Sequence, residues 1–200
     1  GVGNVKFESA ETVVPSSLDE LRAAVCGARA PIRVVGRGHS FTPVAACKGG
    51  TLLSLARLNR VLDFRAPTAD SIGSITIEGG VTYTEVIQHL GELGALRNLP
   101  SCPQFTVAGA IATGTHGSGL HIQNLAADVS MLEFMLPNGT TVCYDRERTP
   151  ELLEGVRVHL GCLGVVTRLT LDVVPYFEVS AYRYDDVPLE TAIDSLPDVF

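Results

Sequence analysis

No run of basic residues occurs anywhere in this 200-residue chain, which carries 15 Lys and Arg against 22 Asp and Glu, a net charge of −7. Neutralising a nucleic-acid backbone needs clustered Lys and Arg, so nucleic acid is not an expected partner. No stretch approaches the roughly 20 apolar residues of a membrane span. No signal-peptide pattern opens the chain either, and a cytoplasmic location is expected. The five cysteines, Cys26, Cys47, Cys102, Cys143 and Cys162, are scattered and form no C-x-x-C pair. That pattern argues against both a disulfide framework and a zinc knuckle. Most of the cysteines are expected to be small core residues, the usual fate of a free cysteine. His116 and His121 stand five apart with no carboxylate or cysteine at ligand spacing, so no metal site is expected. A G-x-S-x-G nucleophile elbow is also missing.

What is present is an ordinary globular composition, 46% hydrophobic and 18% charged, in a length that allows one large domain or two small ones. "SSLDELRAAVCGAR" (16–29) predicts a helix with Ser16 or Ser17 as N-cap, acidic residues in its first turn and Gly27 near its end. Strands are predicted at 31–36, 51–55, 60–64 and 74–80, and the first of them with the helix makes a βαβ-like unit. A second amphipathic helix is predicted over 82–94, capped by Thr82 and stopped by Gly94. Residues 98–119 read as a loop rich in Pro, Gly and Ser, and a subdomain boundary is expected near 98–104. Two alternating runs around Asn138-Gly139 predict a hairpin, and 164–184 reads as one long strand-like segment. Leu189, Ala192, Ile193 and Leu196 form the apolar face of a terminal helix with nothing assigned to cover it.

Two glycine-rich stretches carry the chemistry. In "VVGRGHSF" (34–41), Gly36 and Gly38 follow a strand end and let backbone approach a ligand. A dinucleotide loop of the Rossmann type needs a third glycine where Phe41 stands, and it must open a helix. Pro43 and Gly49-Gly50 leave no room for one. Further on, "VAGAIATGTHGSG" (107–119) alternates glycine with Thr113, Thr115 and His116, a pattern able to present backbone N–H groups to phosphate oxygens. A mobile loop would have the same composition, but its apolar "VAGAIA" wants burial.

Taken together with "HLGCLGVVTRLTLDV" (159–173), these stretches resemble the FAD-binding domain of the vanillyl-alcohol-oxidase-type (PCMH-type) flavoenzymes. Among these the chain looks most like the alditol and aldonolactone (gulonolactone, arabinono-lactone) oxidases, over about Val5 to Pro175. The resemblance implies an α+β fold of two FAD-binding subdomains: a small α/β one over 5–98, and an antiparallel sheet with flanking helices over 99–185. Residues 186–200 would start a linker or helix toward a substrate cap that this chain lacks. It also implies a cofactor, FAD, with Val35, Gly36, Arg37, Gly38 and Ser40 around its pyrophosphate and His39 as the covalent tether to the flavin ring. Pro100, Ser101, Gly109, Thr113, Gly114, Thr115, His116 and Gly117 would line the pyrophosphate, ribityl chain and ring, with Pro100 as a gate for oxygen. Gly164 and Val166 would meet the adenosine end. Cys102 stands seven residues before Gly109, near where bicovalent relatives bond a cysteine to the flavin. Its surroundings differ from theirs, and a core cysteine is the expectation.

The implied activity is oxidation of a CH–OH group in a polyol or sugar lactone, with O2 as acceptor and hydrogen peroxide as product. The alternatives are a dehydrogenase using another electron acceptor and an FAD-binding module without catalysis. A related UDP-sugar reductase with noncovalent FAD is disfavoured by His39. The catalytic residues belong to the cap, so none is assigned.

Overall fold

The computed structural model describes residues 5–28 and 31–196. The last residue of the predicted 16–29 helix and residues 197–200 of the terminal segment lie outside this range. The chain forms two sheets with helices against them, a mixed α and β fold. The first sheet is parallel, in the order β1-β3-β2, from β1 (Ser9–Val13), β2 (Ile32–Val35) and β3 (Cys47–Ser54). Helix α1 (Leu18–Gly27) connects β1 to β2 and buries Leu21 and Val25. Ser17 caps it, its hydroxyl accepting from the Glu20 N–H at 3.1 Å. The expected βαβ-like unit is present, with β3 inserted between its two strands.

Parallel neighbours need a crossover, usually a helix. Between β2 and β3 the crossover is instead the irregular segment 36–46, the "GRGHSF" stretch and its continuation. Sequence thereby sets local structure: glycines and Pro43 forbid a helix, and the loop must lie over the strand ends.

The second sheet is antiparallel, in the order β4-β5-β8-β6-β7. Its strands are β4 (Val61–Arg65), β5 (Gly73–Glu78), β6 (Val129–Met135), β7 (Thr141–Asp145) and β8 (Val165–Val173). Helices α2 (Tyr83–Leu90) and α3 (Val107–Ala112) pack on it, joining Ile75, Ile77, Leu132, Phe134, Leu169 and Leu171 to Val86, Leu90, Val107 and Ile111 in one core. Burying each such side chain contributes about 1.5–3 kcal/mol. A short helix α4 (Pro150–Val156) follows β7 and buries Leu153. A smaller cluster ties the two sheets together: Leu21, Val25 and Leu53 from the parallel side meet Met135 and Val165 from the antiparallel side.

Several expectations are corrected. The division at 98/99 does not follow the strand pairing, because β4 and β5 belong with β6–β8; the parallel sheet ends at Ser54. Helix α2 stops at Gly91 (φ 49°), not Gly94, which instead packs against Val173. The predicted loop 98–119 contains α3, whose residues apart from Gly109 are buried. The predicted strand 164–184 ends at Val173, since no neighbouring strand continues beyond it. Of the cysteines only Cys47 is buried; Cys102 is half-buried, and Cys26, Cys143 and Cys162 are exposed because they sit on outward-facing positions and a surface loop. The hairpin is as expected, with Gly139 (φ 79°) supplying the left-handed turn residue. Helix α5 (Leu189–Asp194) buries nothing, leaving Leu189, Ile193 and Leu196 exposed. No helix among the described residues is long and apolar enough to cross a membrane.

Candidate functional site

A cleft of about 550 Å³ opens between the two sheets. One wall is the β2–β3 crossover, contributing Gly36, Arg37, Gly38, His39 and Ser40 beyond the end of β2 at Val35. This loop makes few internal backbone hydrogen bonds. Among them Thr42 N–H donates to Ser40 Oγ at 3.3 Å and Ala46 N–H to the Pro43 carbonyl at 2.9 Å. Its remaining N–H groups find no acceptor among the described residues, as backbone near a ligand does. Gly36 is required by packing: a side chain there would collide with the Thr106 hydroxyl of the opposite wall. Gly38 adopts φ 70°, which a side chain resists.

The opposite wall is α3 and its flanks. Phe105, Thr106, Gly109, Thr113 and Thr115 line it, and Ser101 stands at its rim. Gly79-Gly80 and the start of α2 close one end, where Thr82 and Glu85 form a reciprocal cap. Partial burial works to raise the Glu85 carboxyl. Hydrogen bonds from Thr82 and Asn59, with the Arg37 charge, outweigh it and hold the group below its ordinary value. The other end is the loop before β8, with His159, Leu160, Gly161, Gly164 and Val166. Gly164 is needed there because a Cβ would stand 2.6 Å from the Met135 carbonyl.

Two histidines in this cleft have unsatisfied buried nitrogens. The His39 ring lies against Phe105, centroids 4.9 Å apart, and its Nδ1 is buried with no hydrogen-bond partner among the described residues. The His159 Nδ1 accepts the Gly161 N–H at 3.1 Å, while its Nε2 has no partner among the described residues. Burial depresses the His159 pKa to about 4.

The structure thus brings twelve of the sixteen sequence-predicted residues to one cleft: Val35, Gly36, Arg37, Gly38, His39, Ser40, Ser101, Gly109, Thr113, Thr115, Gly164 and Val166. The other four stand outside the wall. Pro100 is buried and does not line the cleft. Gly114 (φ 67°) faces Val158, Gly117 packs on Asn98, and His116 is exposed with its Nδ1 2.8 Å from the Gly117 carbonyl. Cys102 does not line the cleft. Sequence reasoning missed Arg33, Asn59, Gly79, Gly80, Thr82, Glu85, Phe105, Thr106 and His159 as wall residues. The Gly79-Gly80 pair at a strand end was a readable signal for close approach, and His159 directly precedes "LGCLG". Among the described residues no group of His, Cys, Asp or Glu is placed to hold a metal ion.

Glycine-lined walls, two arginines and an unsatisfied imidazole suit an anionic dinucleotide, and the chain belongs to the FAD-binding domain family, which it matches over residues 10–144. It is similar to L-gulonolactone oxidase of Bos taurus, 32% identical over 91% of this chain and 41% of the relative. Alditol oxidase of a Streptomyces species is 35% identical over 94% of this chain and 44% of its own length. L-gulono-1,4-lactone dehydrogenase of Mycobacterium tuberculosis is 37% identical over 86% and 39%. The chain spans about two fifths of the length of these relatives.

Proposed function

We propose that this chain is the cofactor-holding part of an oxidoreductase that oxidises a CH–OH group of a sugar alcohol or aldonolactone, with FAD covalently attached through His39 and O2 as acceptor, yielding hydrogen peroxide. The observation that carries the reading is the unpartnered, buried Nδ1 of His39 in a glycine-walled cleft. A buried ring nitrogen without a partner costs about 1–3 kcal/mol, and attachment to a cofactor removes that cost.

The residues present fit FAD. The β2–β3 loop offers free N–H groups and the Arg37 charge to a pyrophosphate, and Arg33 adds a second positive charge to the same cleft. Thr113 and Thr115 offer hydroxyls from the facing wall. The volume lies within the usual range for small-molecule sites. Phe105 holds the His39 ring in place. When bound, FAD supplies the hydride acceptor, and the protein supplies position and electrostatics.

Acid denaturation of the FAD-loaded protein tests the tether: flavin should stay with the precipitated wild-type chain. His39→Ala should bind FAD and release it into the supernatant. Free flavin in the wild-type supernatant refutes the covalent link. A second reading, transfer to an electron acceptor other than O2, is supported by the relative named a dehydrogenase. Mixing photoreduced protein with air-saturated buffer separates the two, because fast reoxidation supports the oxidase.

A further inference from the structure

The hairpin turn between β6 and β7 carries chemistry that the proposed function leaves unused. Of the five asparagines in the chain, Asn138 alone is followed by a non-proline residue and then a hydroxyl residue, Gly139 and Thr140. Asn-x-Ser/Thr is the acceptor pattern for N-linked glycans, which need a surface position. So short a pattern also arises by chance, and its geometry decides whether it can act. Pro137, Asn138 and Thr140 are exposed, whereas Gly139 is buried. A side chain at 139 would stand 2.7 Å from the Cys26 Sγ and 2.9 Å from the Arg22 Cγ of α1. The Arg22 Nε–H donates to the Gly139 carbonyl at 3.1 Å, and the Gly139 N–H donates to the Leu136 carbonyl at 2.9 Å. The turn is pinned from behind, and its outer side is left to solvent.

On that side the Asn138 Oδ1 accepts twice from Thr140, from the N–H at 3.0 Å and from the hydroxyl at 2.7 Å. A backbone N–H can only donate, so the bonded atom is the oxygen and the other is Nδ2. Nδ2 has no partner among the described residues. An amide nitrogen is a poor nucleophile, because its lone pair is delocalised into the carbonyl. Two donors on Oδ1 draw charge onto the oxygen and make the Nδ2 proton easier to lose. We propose that Asn138 is an N-glycosylation site, its co-substrate a polyprenyl-diphosphate-linked oligosaccharide presented by an oligosaccharyltransferase. The bond from Nδ2 to the anomeric carbon of the first sugar forms as the bond from that carbon to the diphosphate breaks. The Nδ2 proton passes to a base of the transferase, the lipid diphosphate leaves, and nothing is oxidised or reduced. The modification requires passage through a compartment holding that transferase, in contrast to the cytoplasmic location expected from the sequence. β7 is the last strand of its sheet, so a glycan on this turn would shelter an open strand edge. No residue from 136 to 140 lines the cleft, which stays accessible.

Peptide mass spectrometry of the protein purified from its own cells tests the site. The peptide holding Asn138 should carry a glycan, and release by peptide N-glycosidase should leave aspartate at that position. A bare Asn138 peptide throughout the purified protein overturns the proposal. The role of the turn is tested by producing the chain behind a cleavable secretory leader in eukaryotic cells. Gel mobility is compared before and after glycosidase. The wild-type chain should show a shifted band that the glycosidase removes. Asn138→Gln should lose the shift, and so should Thr140→Val, which keeps the shape of threonine without its hydroxyl. Thr140→Ser should keep it. A glycosylated Thr140→Val chain overturns the role of the hydroxyl, and an unshifted wild-type chain whose leader has been cleaved overturns the acceptor. The glycan is read on denatured chain, so a variant that folds poorly still gives an answer.

Discussion

The parallel and antiparallel sheets divide stability from ligand contact unequally. In β8 every position but Arg168 is buried, whereas all four residues of β2 are only half-buried and β1 has no fully buried residue. The antiparallel side holds the large core; the parallel side has two small clusters, one of them borrowed from across the sheets. Yet the thinner side supplies the loop with His39. A loop freed from helix or ladder can give its backbone donors to a ligand, and the cost is weak local structure.

The largest expected effect probes the core. Leu169→Ala should cost about 2–5 kcal/mol in urea unfolding, whereas Val34→Ala in half-buried β2 should cost about 1 kcal/mol or less. Equal losses would break the comparison. Acid comes next. The folded pKa of His159 lies near 4 against an ordinary 6.5, so the unfolded chain takes up the proton first. Stability contributed by the neutral ring is therefore present above about pH 6.5 and lost as pH falls toward 4. The loss is no more than about 3 kcal/mol, and His159→Gln should flatten that part of the profile. A pH titration of the urea midpoint checks it.

Ligand linkage follows in size. FAD at about 100 times its dissociation constant should add roughly 2.7 kcal/mol to the His39→Ala chain. The gain in hydrogen-exchange protection should fall on 36–42 and 113–115, with β5 and β8 already protected. Gains spread evenly over both sheets would count against the division between a stable side and a ligand-holding one. The smallest effect concerns the caps. Thr82→Ala removes a reciprocal capping box at the cleft and should cost about 1 kcal/mol. Ser17→Ala should cost no more, because the Glu20 carboxylate there already bonds Ser16. Thermal melts of both variants compare the two helix starts.

Much of the fold is legible in the sequence. Helix starts at Ser17 and Thr82, the Asn138-Gly139 turn and the glycine loops each follow from local chemistry that the residues state themselves. Sheet membership does not. The runs at 61–65 and 73–78 show that strands form, but not that the partner of 73–78 lies some ninety residues on, in β8. "VAGAIA" is short, apolar and small, and the prolines before it, Gly109 within it and the glycines after it hide a helix that burial against the sheet stabilises. Residues 175–184 keep a strand-like composition, but a strand exists only where a neighbour offers its backbone. For the site, motifs identify the loops that face a ligand. They do not show that Gly114, His116 and Gly117 stand off the cleft, nor that Phe105 and His159 line it.

The cluster of Leu21, Val25, Leu53, Met135 and Val165 bears on kinetics as well as packing. Swinging the sheets apart would strip that cluster into water, so it opposes any widening of the cleft. Adjustment to a guest would then fall to the 36–42 loop, and loop motions take nanoseconds to microseconds where domain openings are slower. Residence time before any tether forms should then depend on that single crossover, whose far end is pinned by the Ala46 N–H donating to the Pro43 carbonyl.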